Sequence, residues 1–277
     1  MYNTAVDLNV TSLASGSSGN VFLVETTGSV LLVEAGLSMR AIERHLRMRA
    51  IEPSALGGVV VSHEHHDHAQ SAGALARRYG IPLICSRGTA SAMAADWKGL
   101  DIRVLDDEGI TIGDVDIWGI PLPHDAAEPL GVLLAHGGYT AGWALDLGHV
   151  PGYLSGVLAA ADLVIVEANH DRERLLLAPY AWSTKHRIMS PQGHLSNSEA
   201  AALLAELGRD GRKRTAWLAH LSERANDRPQ GVLRFVDNVL QMAGVSSITL
   251  DVAQRDRPSA AWRSGHALDQ RTIFDPA

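Results

Sequence analysis

Apolar positions along this chain fall into short runs of four to seven, broken by Gly, Ser, Asp and Asn, with longer stretches of helical period between them. Residues 5–14 alternate roughly apolar and polar, and 21–25 and 30–34 are compact apolar runs, so the chain opens on three predicted strands. Ser38 caps a predicted helix to about residue 49, with Met39, Ile42 and Leu46 on its inner face and Arg40, Arg44, Arg47 and Arg49 in solvent. Strands at 57–61 and 81–85 flank a helix at 69–79, and a further helix follows at 90–97. From 102 to 145 the pattern is strands, broken at residues 106–109, 113–114 and 137–138. The second half predicts helices at 150–160, 172–177, 182–188, 200–207 and 229–242. Ser196 and Glu199 form a capping box before the fourth of these. Strands at 162–167, 215–219 and 247–252 lie between the helices. Strands then helices, twice over, suggest an α/β fold of two stacked sheets with helices outside both, and the length allows one large domain or two small ones. Residues 253–277 are polar and unpatterned and read as a loosely held C-terminal tail.

Composition narrows the function classes. The chain has 277 residues, 46% hydrophobic and 20% charged, which suits a well-filled core and argues against disorder. A formal net charge of −7 disfavours a general polyanion-binding surface while leaving room for a local basic patch. Cys85 is the lone cysteine, so neither an internal disulfide framework nor a thiolate metal site is available, and Cys85 reads as a small buried hydrophobe. No stretch reaches transmembrane length, and Met1-Tyr2-Asn3-Thr4 lacks the basic and apolar regions of a signal peptide. The expectation is a cytoplasmic enzyme with no membrane partner.

Histidine, at 13 residues, changes the picture most. Residues 61–68 read Val-Ser-His-Glu-His-His-Asp-His, directly after the predicted strand at 57–61. Imidazole and carboxylate suit zinc and harder first-row ions. His63, His65, Asp67 and His68 on one strand-to-helix turn would crowd a single tetrahedral ion. Two neighbouring ions, with His63 and His65 on one and Asp67 and His68 on the other, are the easier geometry. Three later donors each close an apolar run: His124, Asp146 and His220. Singly, each has an ordinary alternative, namely a loop cap, a turn aspartate before Gly148 and a satisfied core histidine. The loop Ser15-Gly16-Ser17-Ser18-Gly19-Asn20 reads either as a tight turn or as an anion-binding loop with Ser17, Ser18 and Asn20 offered to substrate.

The ordered series His-x-His-x-Asp-His, His, Asp, His resembles the five-motif pattern of the metallo-β-lactamase superfamily over roughly residues 5–252. The resemblance implies a four-layer αββα sandwich, a single domain over residues 1–252, with a dinuclear site on one edge. It implies His63, His65 and His124 on a first metal, Asp67, His68 and His220 on a second, and Asp146 bridging. Residues 12–20, 123–129, 167–171, 193–197 and 218–222 are similar to the YycJ/WalJ group of bacterial enzymes, associated with nuclease and DNA exonuclease activity. Glu167 and His194 are similar in order and context to the glutamate and histidine that ribonuclease Z uses beside its metals. His170, in one of the segments similar to the YycJ/WalJ group, is a further candidate to touch substrate, while His136 and His149 read as bystanders. No insertion like that of the β-CASP nucleases is present, and no long arm like that of ribonuclease Z. Arg172, Arg174, Lys185 and Arg187 therefore either flank a groove or form a solvated face. Arg209, Arg212, Lys213 and Arg214 read as a surface turn.

The expected function is phosphodiester hydrolysis by a metal-bridging hydroxide, with Asp67 in the catalytic set and His194, oriented by Glu167, as general acid. Five imidazoles and two carboxylates suit two divalent ions, zinc or manganese ahead of iron. The expected substrate is nucleic acid or another phosphodiester. A small cyclic phosphodiester or a glyoxalase-type thioester is the alternative on the same scaffold, ahead of a non-enzymatic metal-binding role.

Overall fold

Residues 7–265 are described by a computed structural model. The apolar runs form strands in chain order. The first six are β1 (Asn9–Ala14), β2 (Val21–Glu25), β3 (Val30–Val33), β4 (Gly58–Val60), β5 (Leu83–Cys85) and β6 (Ile102–Val104). The next seven are β7 (Ile110–Ile112), β8 (Val115–Pro121), β9 (Leu130–His136), β10 (Tyr139–Ala144), β11 (Leu163–Glu167), β12 (Arg214–Ala219) and β13 (Ile248–Val252), and β14 (Ala261–Arg263) closes the set. They assemble as two seven-stranded sheets, ordered β14-β1-β2-β3-β4-β5-β6 and β13-β12-β11-β10-β9-β8-β7. Each sheet begins as an antiparallel ribbon and continues through three parallel pairings, β3 to β6 in one and β10 to β13 in the other.

The helices are α1 (Met39–Arg47), α2 (His66–Ala69), α3 (Ala72–Tyr79), α4 (Arg87–Ala92), α5 (Leu154–Leu158), α6 (Arg172–Leu177), α7 (Trp182–Ile188), α8 (Asn197–Leu207) and α9 (Pro229–Met242). Side-chain alternation explains why the strand runs are almost wholly apolar: both sheet faces are covered. Leu31 and Val33 of β3 face the other sheet, while Leu32 faces α1 and α3. Leu163 and Ile165 of β11 face inward, and Val164 and Val166 pack under α5, α8 and α9. Phe22 and Trp143 meet edge to face across the sheets, 6.2 Å between centroids. The layers are thus helix, sheet, sheet, helix, as expected.

Several expectations need correction. The helix expected at 69–79 is two, α2 and α3, because the Ser71 amide donates to the Ala35 carbonyl at 2.9 Å and breaks the helical ladder there. The helix expected at 90–97 starts at Arg87, since Ser86 caps it by accepting from the Thr89 amide at 3.0 Å. That expected at 150–160 covers only Leu154–Leu158. Arg214 is buried rather than part of a surface turn, its guanidinium held by Asp210 and the Leu207 and Ala159 carbonyls. The tail expected from residue 253 is not loose at its start. Ala261–Arg263 pairs with β1, and Ala260 and Trp262 are buried in the inter-sheet core. A three-residue strand with one large aromatic has no period to detect; pairing along the β1 edge makes it a strand. Residues 266–277 of the expected tail lie outside the described residues.

Candidate metal centre

The parallel strands of both sheets end on the same edge, the place where a parallel α/β sheet presents ligand-binding groups. Glu34 follows β3, His63 lies just beyond β4, Asp146 follows β10, Glu167 ends β11 and His220 follows β12. Glu34, Asp146 and His220 have φ of 68°, 54° and 54°. Left-handed backbone is costly for such residues and tends to collect at functional sites. Here it turns the chain sharply off each strand and leaves the side chain at the shared edge.

All seven residues expected as ligands converge. One donor atom from each of His63, His65 and His124 lies within 4.8 Å of the others, and the same holds for Asp67, His68 and His220. Asp146 stands between the sets, its Oδ2 3.9 Å from His63 Nε2 and 2.5 Å from His68 Nε2. His63 Nε2, His124 Nε2 and Asp146 Oδ2 are buried without a hydrogen-bond partner, the close approach of Asp146 to His68 being badly aligned for one. Leaving buried polar atoms unmatched costs roughly 1–3 kcal/mol each. Convergent, unmatched imidazole and carboxylate donors fit a divalent cation, whose ligands sit about 2 Å from it.

The outward nitrogens of these rings are held. His63 Nδ1 is 2.8 Å from Ser62 Oγ, and His124 Nδ1 donates to the Gly193 carbonyl at 2.9 Å. His220 Nδ1 donates to Glu167 Oε1 at 2.7 Å, and His68 Nδ1 lies 3.3 Å from Glu34 Oε1. Such partners fix the tautomer and aim the other nitrogen. Glu34 and Ser62 were not singled out from the sequence. A buried apolar run ending in an acid at Glu34 was the available signal; Ser62 carried none beyond adjacency to His63.

Glu167 is wholly buried and satisfied on four sides. Oε1 accepts from His194 Nδ1 at 2.8 Å and from His220 Nδ1; Oε2 accepts from the Leu147 and Leu195 amides. Burial disfavours its charge, but His194 and His220 outweigh burial and bring the carboxyl down to about 2. Burial likewise works against a charge on His194, whose pKa the Glu167 and Asp146 carboxylates nevertheless raise to about 9. For Asp146, burial opposes ionisation, while His220 and His68 hold the carboxyl well below the usual range. His63 is pushed well down by burial and by the neighbouring His68. His194 Nδ1 is committed to Glu167, so Nε2 is the nitrogen left to meet a substrate.

The residues expected to touch substrate separate. Ser17 and Ser18 are exposed, and Ser18 Oγ accepts from Arg255 Nε at 3.0 Å. Asn20 is fully buried instead. Its amide nitrogen lies 3.2 Å from His68 Nε2, and its carbonyl oxygen accepts from Ser15 Oγ and the Gly16 amide. Ser15 Oγ in turn accepts from the His220 amide, so this loop braces the centre from behind. His170 is buried with Nδ1 unmatched, in none of the donor groups. His136 and His149 bond to the Asp114 and Pro191 carbonyls, away from these groups. Of the four cations considered as groove-flanking, Lys185 is buried and donates to the Leu176 carbonyl, and Arg174 pairs with Asp227. Arg187 pairs with Asp125, the neighbour of His124.

Gly36 is where the first sheet meets the His63–His68 turn. The Asn20 and Ala35 amides donate to the Asp67 and His68 carbonyls at 2.8 and 2.7 Å. A Cβ on Gly36 would lie 1.7 Å from the Asp67 carbonyl oxygen. Gly36→Ala is therefore expected to displace the turn, costing about 1–3 kcal/mol as overpacking does. Chemical denaturation, with metal content measured alongside, checks this.

A family profile described as "Beta-lactamase superfamily domain" matches residues 30–221. The exodeoxyribonuclease WalJ of Streptococcus pneumoniae serotype 2 (strain D39 / NCTC 7466) is 36% identical over 237 residues, covering 83% of this chain and 87% of that protein. The exodeoxyribonuclease YycJ of Bacillus anthracis is 36% identical over 219 residues, covering 78% and 83%. Among solved structures, the metallo-β-lactamase-fold protein YhfI of Bacillus subtilis superposes with a TM-score of 0.71 at 18% identity, covering 93% of this chain and 99% of that one. The chain belongs to the β-lactamase superfamily domain family, with the metallo-β-lactamase fold and the WalJ/YycJ group as its kin.

Proposed function

We propose that this protein is a metal-dependent phosphodiester hydrolase acting on DNA from an end. The observation that carries the reading is the Glu167–His194 pair beside two convergent donor sets, in a chain similar over most of its length to two exodeoxyribonucleases. His63, His65 and His124 would hold one divalent cation, Asp67, His68 and His220 the other, with Asp146 between them. Bound there, the pair supplies Lewis acidity and a water nucleophile at neutral pH. The protein does the rest. Ser62, Glu34, Glu167 and the Gly193 carbonyl hold the ligand rings in register. Glu167 keeps His194 protonated and aimed, so that Nε2 can give its proton to the departing oxygen. The same reading assigns the protein to the cytoplasm, and the donor set to zinc or manganese.

Turnover of single-stranded DNA, RNA, bis-p-nitrophenyl phosphate and a glutathione thioester, each with zinc or manganese, tests it. DNA hydrolysis is expected; thioester turnover without phosphodiester turnover would refute it. Chelation should also destabilise the protein, because the cations bind the folded state only. At a thousandfold excess over Kd each cation adds about 4 kcal/mol, so EDTA should lower Tm by on the order of 10 °C for each site emptied. Calorimetry with and without chelator measures the shift.

A further inference from the structure

The segment between Glu167 and His194 holds α6 and α7, and part of its exposed surface is apolar. Leu177 is 86% exposed and Trp182 is 61% exposed. Trp182 and His186, one turn apart on α7, stack edge to face with centroids 5.4 Å apart. The chain is acidic overall, yet residues 168–193 carry Arg172, Arg174, Lys185 and Arg187 against Asp171 and Glu173, with Lys185 buried and Arg174 paired to Asp227.

Arg187 ties this surface to the metal centre. Its Nε and Nη2 bond to Asp125 at 2.5 and 2.9 Å, and Asp125 Oδ1 lies 3.3 Å from His124 Nε2. A guanidinium has five N–H donors in a fixed fork. Asp125 occupies one edge of that fork, which leaves Nη1 free on a side chain that is half exposed. Trp182 precedes Arg187 by five residues, about 7.5 Å along the helix axis and about 140° round it, at the other end of the exposed face of α7.

We propose that α6 and α7 form the strand-holding surface of this hydrolase, with Trp182 and His186 stacking bases of single-stranded DNA and Arg187 carrying a phosphate next to the metal centre. The inference rests on the hydrolase reading above. A single strand fits better than a duplex, because only unpaired bases expose the faces that an indole can stack on, while a basic neighbour tracks the backbone. Exposed Arg172 and the free edge of the Arg187 guanidinium supply the charge complementarity.

The test uses the metal-loaded protein and a fluorescein-labelled phosphorothioate oligothymidylate, with affinity read by anisotropy. Trp182→Ala should weaken binding roughly tenfold, the size of one lost base stack, and Trp182→Phe should recover most of it. Arg187→Ala should reduce the slope of log Kd against log salt by about 0.7, the value of one phosphate contact on a single strand. Met242→Ala, an exposed apolar residue on α9, should change neither. Affinity of Trp182→Ala within twofold of the parent would overturn the proposal, as would binding to phosphatidylglycerol vesicles in preference to the oligonucleotide. Turnover of bis-p-nitrophenyl phosphate by the parent separates the two readings. Turnover with unaffected binding in Trp182→Ala removes the strand-holding surface and leaves the hydrolase. Binding that depends on Trp182 without turnover removes the hydrolase and leaves the surface.

Discussion

Asp146→Asn should lose both cations and fall below detectable phosphodiester turnover while remaining folded. Asp146 Oδ2 faces His63 and His68, one from each donor set, and the side chain is only 2% exposed. No water can take over a ligand position that is closed in this way without a neighbouring shift. Loss of an outer partner typically costs about 10–100-fold in metal affinity. Loss of a negative ligand shared by two sites should exceed that at each of them. Asn is the informative replacement because it keeps the shape and tolerates the φ of 54°, whereas Ala would add backbone strain of about 1–2 kcal/mol. Metal analysis by mass spectrometry reads occupancy, and circular dichroism reads the fold. Full occupancy of two ions per chain in the Asn variant would show that Asp146 does not bridge.

The parts of this centre that were legible in the sequence are those that depend on local density or on position within a run. His63, His65, Asp67 and His68 stand out because four donors occupy six positions. His124, Asp146 and His220 are recognisable because each ends an apolar run, and a run that ends at a sheet edge delivers its last residue there. What was not legible depends on contacts between distant segments. The small, polar loop around Asn20 suggests exposure to substrate, yet the approach of that loop to Asp67 and His68 buries it. Glu34 braces His68 only because β3 and β4 are parallel neighbours, a pairing that no local pattern encodes. Trp262 belongs to the core for the same reason: the chain returns after more than two hundred residues to pair with β1. The helix boundaries that moved did so where a side chain or a distant carbonyl competed with the helical ladder, as at Ser71 and Ser86. The capping box at Ser196 and Glu199, which is local, held.

His194→Ala should keep both cations and lose about 10²–10⁴ in kcat on DNA. His194 is close enough to Asp146 and His220 to be a ligand itself, so geometry alone admits two roles. Its Nδ1, however, is already engaged with Glu167 Oε1 at 2.8 Å, the same oxygen that orients His220. A carboxylate gripping the inner nitrogen favours the protonated ring and points the outer nitrogen towards whatever leaves. The leaving group then decides how much that proton is worth. The oxygen departing from DNA is a poor leaving group and needs protonation, whereas p-nitrophenolate leaves readily as the anion. The loss in His194→Ala should therefore be large on DNA and much smaller on bis-p-nitrophenyl phosphate, with metal content unchanged. Glu167→Gln should show the same asymmetry, reduced in size, together with weaker metal binding, because Glu167 also holds His220. An equal loss on both substrates, or a loss of metal in His194→Ala, would make His194 a ligand rather than an acid.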